Sequence, residues 1–124
     1  MTSRMDRKET IARLRKAQPA IMPSLLLCDF AHLAEEATAV EAAAVPALHF
    51  DVMDGQFVPN FTYGMTIVES LRPHSELVFD VHLMIEQPQN YVESFITAGA
   101  DVVTIHADAV DDPRFASNPD RLEN

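Results

Sequence analysis

The chain has 124 residues, enough for one compact domain and short for two. A hydrophobic content of 48% supports a packed core and excludes an intrinsically disordered chain, and no apolar run approaches the ~18 residues of a membrane span. The net charge of −10 is unevenly placed: residues 1–20 carry six basic and two acidic side chains (+4), residues 21–124 three basic and seventeen acidic ones (−14). So acidic a body repels nucleic acid and anionic membrane, which makes both poor partners.

In chain order, residues 1–19 hold Arg4, Arg7, Lys8, Arg13, Arg15 and Lys16, with no apolar segment behind them. They read as a basic leader, solvated and partly frayed, and not as a secretory signal. The alternative is an arm that touches an acidic partner or its own body. The single cysteine, Cys28, cannot close an internal disulfide, which fits a reducing compartment, and the protein is read as cytoplasmic. Cys28 itself reads as a small buried residue, since no base pattern accompanies it.

From residue 20 onward, short β-rich runs alternate with helical patterns. Residues 21–27 form an apolar run, with Pro23 suiting a strand start or an edge. Asp29 offers an N-cap for a helix over about residues 30–44, where Leu33, Ala37, Val40 and Ala44 make one apolar stripe. A second strand covers residues 47–53, followed by a loop at 54–60 and a short helix near 65–71, stopped by Arg72-Pro73. Residues 77–83 form a third strand. The next helix has Pro88 in its first turn, and Gly99 stands where a helix C-terminus wants a left-handed residue. Residues 101–106 form a fourth strand, and 107–124 read as loop or frayed helix. Alternating strands and helices imply a parallel sheet with right-handed crossovers.

Chemistry concentrates at two strand ends. His49, Asp51 and Met53 share one face of the second strand, because side chains alternate along a strand. Asp80, His82 and Met84 repeat the arrangement on the third. An imidazole and a carboxylate two residues apart can reach one divalent cation, at the strand ends where parallel α/β folds place their sites. The simpler alternatives are a structural histidine for each His and core filler for each Met. Two coincident polar strand ends favour the metal, since a buried carboxylate without a cation or donor costs several kcal/mol. His32 and His74 read as surface residues, and Asp108, Asp111 and Asp112 as a solvated acidic loop.

Four separated motifs carry a resemblance over about residues 20–112: Met22-Pro23-Ser24-Leu25-Leu26 with Asp29-Phe30, the stretch from His49-Phe50-Asp51-Val52-Met53 through Asp54-Gly55-Gln56-Phe57-Val58-Pro59-Asn60, Asp80-Val81-His82-Leu83-Met84-Ile85, and Ala98-Gly99-Ala100-Asp101. Their order and spacing resemble ribulose-phosphate 3-epimerases. The resemblance implies a TIM-barrel fold, here as (β/α) units with about four parallel strands, a truncated half barrel. It also implies interconversion of ribulose 5-phosphate and xylulose 5-phosphate, a step of the pentose phosphate pathway. His49, Asp51 and His82 would be three of four protein ligands to one divalent ion, Zn²⁺, Fe²⁺ or Mn²⁺. Asp51 would double as an acid/base catalyst, Ser24 and His82 would contact substrate, and Met53 and Met84 would line the cavity. His106 matches a position at the end of the fourth strand, without a ligand role. Epimerising a carbon beside a carbonyl needs bases on both faces and a cation to hold the enediolate.

The domain reading is a leader at 1–19, a partial barrel at 20–112 and a polar tail at 113–124. A complete barrel needs about 200 residues or more, so the second acid/base Asp that the resemblance implies, which would also be the fourth metal ligand, and the phosphate site are expected outside this stretch. Two exposed sheet edges invite pairing into a homo-oligomer. The competing expectation is a truncated, non-catalytic remnant that at most binds a divalent metal. An open flavodoxin-like sheet is a third, weakened by the lack of a Gly-rich phosphate loop among only three glycines. Three departures from the family pattern stand out: Leu27-Cys28, Gln56 in place of a His, and Ala44-Val45-Pro46 in place of a Gly-Ala-Asp turn, which puts a non-glycine where positive φ is expected.

Overall fold

A computed structural model describes residues 6–110. Three strands, β1 (Ala47–Met53), β2 (Val78–Met84) and β3 (Val102–Ile105), form a parallel sheet in the order β1-β2-β3. The helices are α1 (Arg7–Lys16), α2 (Leu33–Ala42), α3 (Met65–Leu71) and α4 (Val92–Ala98). The α/β alternation read from the sequence is thus the alternation observed, and it is that of a partial TIM-barrel-like fold.

The sheet has two unlike faces. Leu48, Phe50 and Val52 of β1 and Phe79, Val81 and Leu83 of β2 are buried against Ala37 of α2, Val68 and Leu71 of α3, and Phe95 and Ala98 of α4. The period of two along each strand sends the intervening residues to the other face. There His49, Asp51, Met53, His82 and Met84 are only partly buried. Apolar burial therefore fixes the register, and the register aims the polar residues away from the helices.

The expected first strand is reduced to one parallel bridge, Ser24 to His49. Leu25 N donates to His49 O at 3.0 Å and His49 N to Pro23 O at 2.9 Å. Pairing ends there because Pro23 has no N–H and the chain turns at once: Leu26 N donates to Ser24 Oγ and Cys28 N to Leu25 O. Among the described residues the sheet thus has three strands, not four, with the Ser24 segment alongside β1.

The leader also departs from expectation, because residues 7–16 are helical and not frayed. Asp6 caps α1 by accepting from Glu9 N at 2.7 Å, Arg13 pairs with Glu9, and Thr10 is buried. Arg13 Nη1 donates to Glu76 O at 3.0 Å, docking this basic helix beside the start of β2. Asp29 caps as expected, accepting from Ala31 N, although the first turn is a 3₁₀ turn at Phe30–His32. Pro88 likewise opens a 3₁₀ turn, Pro88–Asn90, ahead of α4. Gly99 ends α4 at φ 127°, and Ala44 closes α2 at φ 60°. The tail at 113–124, with Asp111 and Asp112, lies outside the described residues. No helix among the described residues is long and apolar enough to cross a membrane.

Candidate metal centre

Parallel pairing of β1 and β2 sets His49 opposite Asp80 and Asp51 opposite His82. Four polar side chains therefore meet in two adjacent rungs of the exposed sheet face. Asp51 is the hub. Its Oδ1 lies 3.2 Å from His49 Nε2 and 3.3 Å from His82 Nδ1, and its Oδ2 accepts from Ser24 Oγ at 2.5 Å. One ligand atom from each of His49, Asp51 and His82 falls within 4.8 Å of the others.

The donor chemistry fits a divalent cation. His49 Nδ1 is 2.7 Å from Asp80 Oδ2, so the Nδ1–H is the donor there and the ring, when neutral, presents a lone pair at Nε2. That lone pair, the one on His82 Nδ1 and those of Asp51 Oδ1 converge on the same space, where they repel unless a proton or a cation lies between them. Ligand atoms around an ion that bonds N and O at about 2.0–2.2 Å stand about 3.0–3.5 Å apart. The two Asp51 distances fall in that range. His49, Asp51 and His82 could therefore hold one metal ion.

The backbone beneath Asp51 is braced. Asp51 N donates to Tyr63 Oη at 3.0 Å, while Thr62 Oγ1 donates to Asp51 O and accepts from Met53 N. Burial, helped by the nearby Asp51 charge and against the hydrogen bond from Asp51 N, pushes the Tyr63 phenol up to about 12, so it stays a neutral acceptor. Partial burial pushes the Asp51 carboxyl up as well. With protons and no cation in that space, the Ser24 hydrogen bond, the His49 charge and the hydrogen bonds of His82 and His49 outweigh it, and the carboxyl lies below the ordinary Asp range. Asp51 is thus held as a carboxylate, the form that a metal ligand or a general base requires.

Met53 and Met84 are paired in register one rung beyond, on the same face, and Asn60 Nδ2 reaches Met53 Sδ at 3.7 Å. The loop after β1 is tied down by Asp54, whose Oδ1 accepts from Gln56 N and Phe57 N and whose Oδ2 accepts from Glu86 N. Gly55 turns this loop at φ 71°, and a Cβ there would meet the Phe61 ring. The sequence-expected residues His49, Asp51, His82, Ser24, Met53 and Met84 all lie on one sheet face. Cys28 does not join them: burial, then the Glu36 charge, pushes its thiol up, consistent with a small residue against the core.

Three participants carried no such expectation. Asp80 was legible only as a third polar residue on the face, and register alone makes it the partner of His49. His106 stacks on His82 with ring centroids 4.9 Å apart and Nε2 atoms 2.7 Å apart. Tyr63 arrives from a loop return that no local pattern signals.

The sequence matches the Ribulose-phosphate 3 epimerase family over residues 20–118. It is 51% identical over 89 residues to ribulose-phosphate 3-epimerase of Bacillus subtilis, covering 72% of this chain and 41% of that protein. The chloroplastic ribulose-5-phosphate-3-epimerase of Arabidopsis thaliana is 47% identical over 98 residues (79% and 35%). The Synechocystis ribulose-phosphate 3-epimerase is 49% identical over 88 residues (71% and 38%). The matched region thus spans about two fifths of the length of these relatives. With two strands that set a His-Asp-His trio around one point and a family match over 99 residues (20 to 118 inclusive), this chain belongs to the ribulose-phosphate 3-epimerase family.

Proposed function

We propose that this chain carries the metal-binding and first acid/base half of a ribulose-phosphate 3-epimerase site, acting on the C3 proton of ribulose 5-phosphate or xylulose 5-phosphate. The observation that carries the reading is the convergence of His49 Nε2, Asp51 Oδ1 and His82 Nδ1 on one space. A divalent cation held there stabilises negative charge on an oxygen beside the reacting carbon. Zn²⁺, Fe²⁺ and Mn²⁺ all suit two imidazoles and a carboxylate.

Asp51 is the base in this reading. Its carboxylate takes the C3 proton, and the electron pair moves into the carbonyl to give an enediolate. His82 orients the substrate oxygens, Ser24 holds Asp51 Oδ2 and reaches substrate, and Met53 and Met84 keep water from the reacting carbon. Return of a proton to the opposite face needs a second acid, and the sugar phosphate needs an anion site. Both are expected outside the 124 residues, as is a fourth metal ligand. Residues 20–112 make up the barrel portion, with 1–19 and 113–124 flanking it, in a cytoplasmic protein.

One base is enough for half of the reaction. Asp51 can remove the C3 proton and return a solvent-derived one to the same face, exchanging C3–H without epimerisation. In D₂O with Zn²⁺, Fe²⁺ or Mn²⁺, the purified chain is expected to place deuterium at C3 of ribulose 5-phosphate, read by mass spectrometry. Asp51→Asn is expected to lose at least about 100-fold of that rate, the scale of a general base. A folded chain that binds metal but exchanges no C3 proton would reduce the function to metal binding alone.

A further inference from the structure

The two imidazoles of the trio each have a second ring nitrogen, and both of those nitrogens are engaged. His49 Nδ1 meets Asp80 Oδ2 at 2.7 Å, and His82 Nε2 meets His106 Nε2 at 2.7 Å. We propose that Asp80 and His106 are positioning residues of the metal centre, which fix the tautomers of His49 and His82 so that both lone pairs point at Asp51. This deepens the metal-centre reading and rests on it.

Asp80 is a carboxylate at 7% exposure, on the sheet face opposite the helices. An ionised carboxylate only accepts, so the shared proton belongs to His49 Nδ1, and the neutral ring can offer only Nε2 to a cation. The negative charge behind the ring also makes that nitrogen a better donor to a cation. The strand register sets the pairing, since Asp80 is the β2 residue directly opposite His49.

His106 does the corresponding task from beyond the end of β3. Two imidazole nitrogens 2.7 Å apart must be one donor and one acceptor. If His82 offers Nδ1 to a cation, its proton sits on Nε2 and His106 Nε2 accepts it, which leaves the His106 proton on Nδ1. Stacking on His82 and a tilted contact with Phe57 at 5.1 Å hold the His106 ring in place. The outer layer therefore tethers the metal ligands to the third strand and to the loop after the first.

The test measures Zn²⁺ affinity by chelator competition for wild type, Asp80→Asn, His106→Ala and His106→Gln, using the full chain. Losing such an outer partner weakens metal affinity by about 10–100-fold. That loss is expected for Asp80→Asn and His106→Ala, with partial recovery in His106→Gln, which restores an acceptor. Asp6→Ala, which removes the N-cap of α1, serves as the control: it is expected to lower stability and leave affinity unchanged. Long-range ¹H–¹⁵N spectra of the Zn²⁺-loaded protein are expected to show protons on His49 Nδ1 and His82 Nε2. Affinities within twofold of wild type in both Asp80→Asn and His106→Ala, or protons on the opposite nitrogens, would overturn the assignment. A wild-type chain that takes up no Zn²⁺ overturns the metal-centre reading itself, before any variant is compared.

Discussion

Asp51 shows how much one residue owes to its partners. Ser24, His49 and His82 all stabilise its charged form, and together they exceed the penalty of partial burial. A carboxyl whose folded pKa is depressed stabilises the fold fully above its unfolded pKa, about 3.9, and that contribution disappears as pH falls through the lower folded value. The metal-free protein is therefore expected to lose stability as pH falls from about 5 through the lowered folded value, and Asp51→Asn to lose less over the same fall. Urea unfolding at a series of pH values checks this, and parallel curves for the two proteins would contradict it. His49, Asp51 and His82 were legible in the sequence because alternation along a strand puts i and i+2 on one face. The bond from Asp80 was not, because it depends on which residue of the next strand stands opposite, and neither was that from His106, which arrives from beyond the end of β3.

At the scale of elements, turns and helix ends decide how well the strands are presented. Ala44 adopts φ 60° after α2, where the family pattern leads one to expect glycine, so the sequence-level departure has a backbone consequence. Ala44→Gly is expected to stabilise the fold by up to about 1 kcal/mol, the left-handed penalty less the entropy glycine adds to the unfolded chain. Arg72, following α3, binds more strongly. It pairs with Asp101 at 3.0 Å, donates to the carbonyls of Ser75, Leu77 and Gly99, and lies 3.6 Å over the Phe79 ring. The Asp101 side chain is nearly fully buried and also accepts from Phe79 N. Arg72→Ala leaves that carboxylate without its counter-charge and is expected to cost about 3–5 kcal/mol in chemical denaturation. Element type and order were readable from hydrophobic period and caps. The shortened first strand was not, although Pro23 hinted at it, because a turn held by the Ser24 hydroxyl replaces the ladder. The helicity of residues 7–16 was missed because net charge hid a sound N-cap at Asp6 and the Glu9–Arg13 pair.

At the scale of the whole molecule, one face of the sheet is covered by helices and the other gathers His49, Asp51, Asp80 and His82. That division makes the metal trio a property of the fold and not of one loop, since β1 and β2 each contribute and the core fixes their register. The most direct test of this account is calorimetric titration of the purified, metal-stripped chain with Zn²⁺, alongside Asp51→Asn and His82→Ala. The account predicts about one ion bound per chain in the wild type, with binding weakened at least about 10-fold in each variant, the low end of what losing even an outer partner costs. A folded wild type that binds no ion, or variants that bind as tightly as it does, would contradict it.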